Sequence, residues 1–232
     1  LLEKKKESQK KALQKLEKVS ARTGTKFSKI IVDSGAPGKR IPEIAEKEKC
    51  QLIAIGRKGL SALEKILLGS VANRVLRRSR VPVLITPARK TAPRIENILV
   101  PTDFSGNEEK ERDYAWMLAS KLGANLTLIY ILELYDFKFS PAEVRKMMDE
   151  ALARLKKRKK RQTRFEVKEV VVRDLSAPAG IVTYASRHKL DLILMSTCVS
   201  PLERFFLGST TERVISYSTV PVLALPSGYC KK

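Results

Sequence analysis

The sequence predicts an α/β protein of two tandem, doubly wound domains, each a parallel sheet with helices on both faces. Three observations predict it. Short apolar, β-branched runs alternate with helix-like stretches. Segments of the first half return in the second half at a nearly constant offset. Of the 232 residues, 43% are hydrophobic and 31% charged, enough for a packed core. No apolar run approaches the roughly 18 residues of a membrane span.

The repeat is legible in four places. Val81-Pro-Val-Leu-Ile-Thr-Pro returns as Val220-Pro-Val-Leu-Ala-Leu-Pro, and Leu68-Gly-Ser as Leu207-Gly-Ser, both at an offset of 139. Cys50-Gln-Leu-Ile-Ala-Ile matches Leu190-Asp-Leu-Ile-Leu-Met at 140. Phe27 leads into Lys29-Ile-Ile-Val as Phe165 leads into Glu169-Val-Val-Val. The copies divide at residues 1–91 and 92–232. The second opens near Ile95. By the same offset the first opens inside its second helix, without a first strand, first helix and second strand. The sequence also starts without Met, so we expect a first copy cut short.

The second copy reads as alternating elements. Residues 98–101 form a short apolar strand closed by Pro-Thr-Asp. Residues 107–122 are helical by the spacing of Tyr114, Met117, Leu118 and Leu122, with Gly123 as the stop. A β-branched strand follows at 126–132. A helix at 141–160 has Pro141 in its first turn and a basic far end, which suits the helix dipole. Then come a strand at 166–172, a helix at 177–188, a strand at 192–195, a helix at 205–217 and a last strand at 220–225. Pro221 and its twin Pro82 lack an N–H, so these last strands are expected at sheet edges or in relaxed pairing.

The chain carries 46 Lys and Arg against 25 Asp and Glu. Most of the excess lies in residues 1–94, net +16, against net +5 for the remainder. The basic residues cluster in an opening helix from Lys4 to Lys18, in Arg74, Arg77, Arg78 and Arg80, in the connector from Arg89 to Arg94, and from Lys156 to Arg161. A phosphate-seeking surface is one reading. Solvated helix faces are the simpler one, because no aromatic residues interleave with the clusters as single-strand binding needs. Nucleic acid is therefore not the expected partner.

Other chemistries are excluded by inventory. Cys50, Cys198 and Cys230 are too far apart for a disulfide framework or a metal knuckle. Cys50 and Cys198 are expected as buried small hydrophobes at strand ends; Cys198, near Arg204, has redox sensitivity as an alternative. The single histidine, His188, sits at a helix end and reads as compensation of the dipole rather than as a base. Trp116 reads as packing. No paired carboxylates stand out, no metal site is expected, and no signal peptide precedes the first helix. A cytoplasmic protein is the simplest reading.

One motif carries chemistry. After a first-copy strand stands Ile55-Gly56-Arg57-Lys58-Gly59, then, nine residues on, Gly69-Ser70-Val71. In open α/β sheets ligands bind beyond the carboxyl ends of the strands. Glycines let backbone N–H groups approach an oxyanion, and the helix opening at Gly69-Ser70 adds partial positive charge. Arg57 and Lys58 are positioned to add neutralising charge. The alternative is a glycine turn that needs positive φ and binds nothing.

This spacing, the strand Ile-Leu-Val-Pro-Thr-Asp at 98–103 and the closing Val-Pro-Val-Leu strands together resemble the universal stress protein family over essentially the whole chain. The resemblance implies Rossmann-like domains of the adenine nucleotide alpha hydrolase-like kind. It implies binding of ATP or AMP, with or without Mg2+, in a regulatory role with at most weak ATP hydrolysis. It also implies pairing of the two copies through their last strands, and a homodimer as a further option. Carried over, Gly56, Gly59, Gly69, Ser70 and Val71 match phosphate- and ribose-binding positions of the first copy. Pro101, Asp103 and Ile131 match positions around adenine and ribose in the second, where Gly208 and Ser209 open the last helix. Asp103 has an Asx-turn or helix cap as its alternative. The second loop, Ser196 to Thr210, replaces both early glycines, so triphosphate binding is expected in the first copy, with the second mainly structural. An interaction scaffold of paired copies is the rival reading.

Overall fold

In a computed structural model the described residues are 2–57, 68–87, 94–104, 108–134, 139–157, 164–197 and 208–226. The elements run α1 (Leu2–Thr23), α2 (Pro37–Lys47), β1 (Ile53–Gly56), α3 (Ser70–Arg78), β2 (Val83–Thr86), β3 (Asn97–Thr102), α4 (Glu108–Leu122), β4 (Asn125–Glu133), α5 (Pro141–Lys156), β5 (Val167–Asp174), α6 (Ala177–Arg187), β6 (Leu192–Ser196), α7 (Ser209–Tyr217) and β7 (Val222–Leu225). Local chemistry explains the helix ends. Ser140 and Glu143 form a reciprocal capping box that starts α5, and Ser176 accepts from the Ala179 N–H to start α6. Gly123 stops α4 in the left-handed region at φ 65°. The segments 105–107, 135–138 and 158–163, and the start expected for α7 at 205–207, lie outside the described residues.

Both copies join one seven-stranded sheet in the order β1-β2-β7-β6-β3-β4-β5. All pairings are parallel except that of β2 with β7. In that antiparallel pair Leu84 faces Leu223, its own counterpart in the repeat. On the helices above, the Asn73 amide donates to Glu212 at 3.2 Å, again a residue and its counterpart. Both contacts set a residue of the first copy against its counterpart in the second.

Side chains alternate across the sheet and bury both faces, which is why its strands read as continuous apolar runs. Leu99, Ile129, Ile193 and Met195 enter one core cluster with Val75, Ile181 and Val214 from α3, α6 and α7. Ile98, Val100, Leu126, Leu192 and Leu194 enter the other with Trp116 and Leu155 from α4 and α5. Trp116 is a packing residue, as expected. His188 caps the carboxyl end of α6 and stacks on Tyr184 with ring centroids 3.9 Å apart.

Three expectations are corrected. Pro82 and Pro221 do not mark edges, because β7 lies inside the sheet. Each proline precedes its strand and contributes only its carbonyl, accepting from the Ile53 and Ile193 N–H groups at 2.9 and 3.0 Å, so no N–H is missed. Cys50 is exposed rather than buried, because it lies in the turn between α2 and β1; Cys198 and Cys230 lie outside the described residues. Residues 29–32, matched to β5, form no strand, since no strand stands beside them among the described residues. The same lack of neighbours exposes the first copy elsewhere. Leu52 is 43% exposed whereas its counterpart Leu192 is 1% exposed under β3 and α4.

Candidate functional site

At the carboxyl ends of β3, β4 and β6 the sheet opens into a cavity of about 480 Å³. This is the place where parallel sheets bind ligands, and the volume falls within the ordinary range for small-molecule sites. Its floor is apolar: Ile129 and Ile131 from β4, Ile181 from α6 and Met195 from β6. Gly180 lets α6 come close, since a Cβ there would stand 2.9 Å from Ile131 Cδ1. The rim is polar. Pro101, Thr102 and Asp103 come from the end of β3, and Gly208, Ser209, Thr210 and Thr211 from the start of α7.

Two glutamates complete the wall. Glu111, on α4, accepts a hydrogen bond from the Ser196 N–H at 3.1 Å. Burial pushes its carboxyl up to about 8, with the charge of Asp103 adding to the rise and the bond from Ser196 opposing it. Glu133, at the end of β4, accepts from the Ala177 N–H at 2.5 Å and so sits at the positive end of α6. Thr211 donates to the Ser196 carbonyl at 2.8 Å and ties α7 to the end of β6.

The turn after β3 is held in an uncommon conformation. Phe104 adopts φ 60° in the left-handed region. Its ring lies 4.6 Å from that of Tyr130, and the Arg154 guanidinium stands 4.2 Å above it. This stack fixes the backbone beside Asp103 from the far side of β4.

The structure places Pro101, Asp103, Ile131, Gly208 and Ser209 around the cavity. In the first copy, Gly56 ends β1 and Gly69, Ser70 and Val71 open α3, with the Gly69 N–H bonded to the Arg57 carbonyl at 2.9 Å. Gly59 and Lys58 lie outside the described residues. Gly69 and Gly208 precede their helices with matching backbone, φ −62°, ψ 145° and φ −56°, ψ 138°. Neither angle is left-handed, so positive φ does not explain a glycine at Gly69.

Arg57 departs from its expected role. Its Nη1 turns toward the second copy and donates to the carbonyls of Ser216 and Ser218 at 2.9 and 2.8 Å, with Ile215 at 3.4 Å. These are the last carbonyls of α7, where the helix dipole is negative and carbonyls lack partners. The guanidinium thus caps α7.

Sequence reasoning missed Glu111, Glu133, Ser196 and Thr211. A signal for Glu111 was present: it stands in register with Ala115 and Ala119, both fully buried, on the inward stripe of α4. Glu133 and Ser196 end apolar strands, and nothing local distinguishes them from ordinary strand termini. Among the described residues no group of three or more His, Cys, Asp or Glu could hold a metal ion, and no helix is long and apolar enough to cross a membrane.

The model of the universal stress protein family matches residues 1–87 and again 94–226. The chain belongs to the universal stress protein family. Its two family domains stand in tandem. A universal stress protein of Methanocaldococcus jannaschii is 41% identical over 85 residues, 37% of this chain and 49% of that protein. One from Mycobacterium bovis is 25% identical over 199 residues, 80% of this chain and 62% of that protein. The chain thus spans about half to three fifths of the length of these curated relatives. A solved universal stress protein from Archaeoglobus fulgidus superposes with a TM-score of 0.66 at 28% identity, over 95% of this chain and 78% of that one.

Proposed function

We propose that this universal stress protein binds an adenine nucleotide, ATP or AMP, in a regulatory rather than catalytic capacity, and that the second-copy cavity is a binding site. The observation that carries the reading is the convergence of Pro101, Asp103, Ile131, Gly208 and Ser209 on one cavity at the carboxyl ends of parallel strands. The apolar floor suits a purine face, and the opening turn of α7 offers N–H groups that no side chain caps. The loop at Gly56 and Gly69 is the corresponding phosphate cradle of the first copy. We read the antiparallel contact of β2 with β7 as the chain pairing its two domains through their last strands.

The test is direct. Protein purified without added nucleotide is heat-denatured, and the supernatant is resolved by chromatography and mass spectrometry. Titration calorimetry with ATP, AMP and adenosine follows. A bound adenine compound, or saturable heat with any of the three, supports the reading. An empty supernatant together with no heat at millimolar ligand overturns it and favours the scaffold of paired copies.

A further inference from the structure

The same sheet carries a second hollow at its other end. About 360 Å³ opens at the amino ends of β3, β4 and β5, beside the turn that follows α6. Two regions of the chain bring cations to it: Lys168 from β5, and Arg187 and Lys189 from the end of α6 and the turn beyond. All three are exposed, and among the described residues none of their side chains makes a hydrogen bond or ion pair. Glu166 is the one carboxylate that lines the hollow. Asp191, just beyond the turn, is engaged by the Glu96 and Asn97 N–H groups at 3.0 Å each.

This charge exceeds what the helix needs. The carboxyl end of α6 carries about half a negative charge. Set against that and Glu166, the three cations leave an excess of about one to two positive charges. A phosphate monoester carries about 1.5 to 2 negative charges at neutral pH and presents three acceptor oxygens. Arginine and lysine are the side chains that meet such oxygens, the one as a planar fork and the other as a point charge.

The internal repeat supplies the comparison. At the offset of 140, Lys49 and Lys189 are counterparts, and both sit in the left-handed region, at φ 53° and 52°. The residue before each differs. In the first copy it is Glu48, whose carboxylate pairs with Lys29 at 2.5 Å. In the second it is His188, whose Nδ1–H is given to the Tyr184 carbonyl at 3.0 Å and whose ring stacks on Tyr184. One copy therefore carries its own anion at this turn. The other gathers cations there and has no carboxylate at the matching position.

We propose that the hollow at the amino ends of β3, β4 and β5 is an anion site that takes the phosphate group of a small molecule, held by Lys168, Arg187 and Lys189. It lies at the opposite end of the sheet from the cavity described above and does not depend on the nucleotide reading. Its cations are solvated, so binding is weak and falls as salt rises.

The experiment titrates inorganic phosphate, glycerol 3-phosphate and succinate onto the whole chain at low, matched ionic strength and follows backbone amide shifts. The expected result is saturable shifts at Lys168, Lys189 and Leu190 with both phosphate compounds, with Ile131 and Ser209 unmoved and succinate binding several-fold more weakly. Equal affinity for the two phosphate compounds assigns the site to the phosphate group alone, and tighter binding of the ester adds the surrounding wall; both support the proposal. His188→Glu rebuilds the first copy's carboxylate at an exposed position and should weaken phosphate binding by at least about tenfold. Lys168→Gln combined with Lys189→Asn, which suits a left-handed turn, should do the same by removing charge. Succinate binding as tightly as phosphate, shifts confined to Ile131 and Ser209, unchanged affinity in the folded variants, or no saturable shift overturns the proposal.

Discussion

Replacing Arg57 by methionine should loosen the junction between the two domains while keeping most of the side chain's apolar stem. In the native protein one guanidinium nitrogen serves the carbonyls of Ser216 and Ser218 at 2.9 and 2.8 Å. Both serines are nearly buried, 8% and 2% exposed, so water does not readily replace the lost donor. A hydrogen bond from a charged group contributes about 1.5–3 kcal/mol, and a cation at a helix carboxyl end about 0.3–1 kcal/mol. Against this, the Arg57 Nε is buried without a partner, which costs about 1–3 kcal/mol. Burial also lowers the basicity of the guanidinium, a sign of the desolvation the contact must overcome. The net loss on substitution should be about 2 kcal/mol. For a chain of this size that is roughly 4–8 °C in Tm. Urea unfolding followed by far-ultraviolet dichroism measures the first quantity, and thermal melts the second. Lysine at this position carries three donors on one nitrogen and should recover part of the loss. If the methionine variant unfolds within about 0.5 kcal/mol of the natural protein, the cap does not hold the domains together.

Two further predictions concern the cavity wall and the first copy. Glu111 has its folded pKa raised from 4.5 to about 8, so the folded chain keeps a proton that the unfolded chain has lost. Its contribution is therefore fully present below about pH 4.5 and declines as pH rises toward 8, at up to about 1.4 kcal/mol per pH unit. Melting temperatures across that range should fall less steeply in Glu111→Gln than in the natural protein, and parallel slopes would contradict the burial argument. Gly38→Ala should destabilise the packing of α2 on α3 by about 1–3 kcal/mol, because the new Cβ would stand 2.5 Å from Arg74 Cβ, an atom too close to its backbone to move aside. Equilibrium unfolding reads this directly, and an unchanged midpoint would show that the two helices shift apart freely.

The alternating elements were legible because each depends on its own residues. The period of Tyr114, Met117 and Leu118, Pro141 in a first turn and the stop at Gly123 all act within a turn or two. The repeat was legible for another reason: two copies of one pattern corroborate each other. Residues 29–32 show the limit. They match a strand in sequence, yet a strand exists only when another lies beside it to take its hydrogen bonds. Pro221 shows a second limit, since the rule that sends proline to an edge concerns its N–H and leaves its carbonyl free to join an interior ladder. Arg57 was read from its neighbours as a phosphate ligand, but a long side chain reaches what the fold sets before it.

By itself the sequence determined the family, the tandem copies, the class of sheet and the residues that open the glycine-flanked helices. These follow from local period, turn chemistry and internal repetition. The tertiary structure alone decided that β2 and β7 fuse the copies into one sheet, that Arg57 caps a helix 158 or more residues away, and that Glu111 is buried beside Ser196. It also decided that the described cavity belongs to the second copy, with carboxyl groups from three elements around it. Each of these depends on which distant segments meet, and on the water that leaves when they do. Neither is written in the neighbourhood of any one residue.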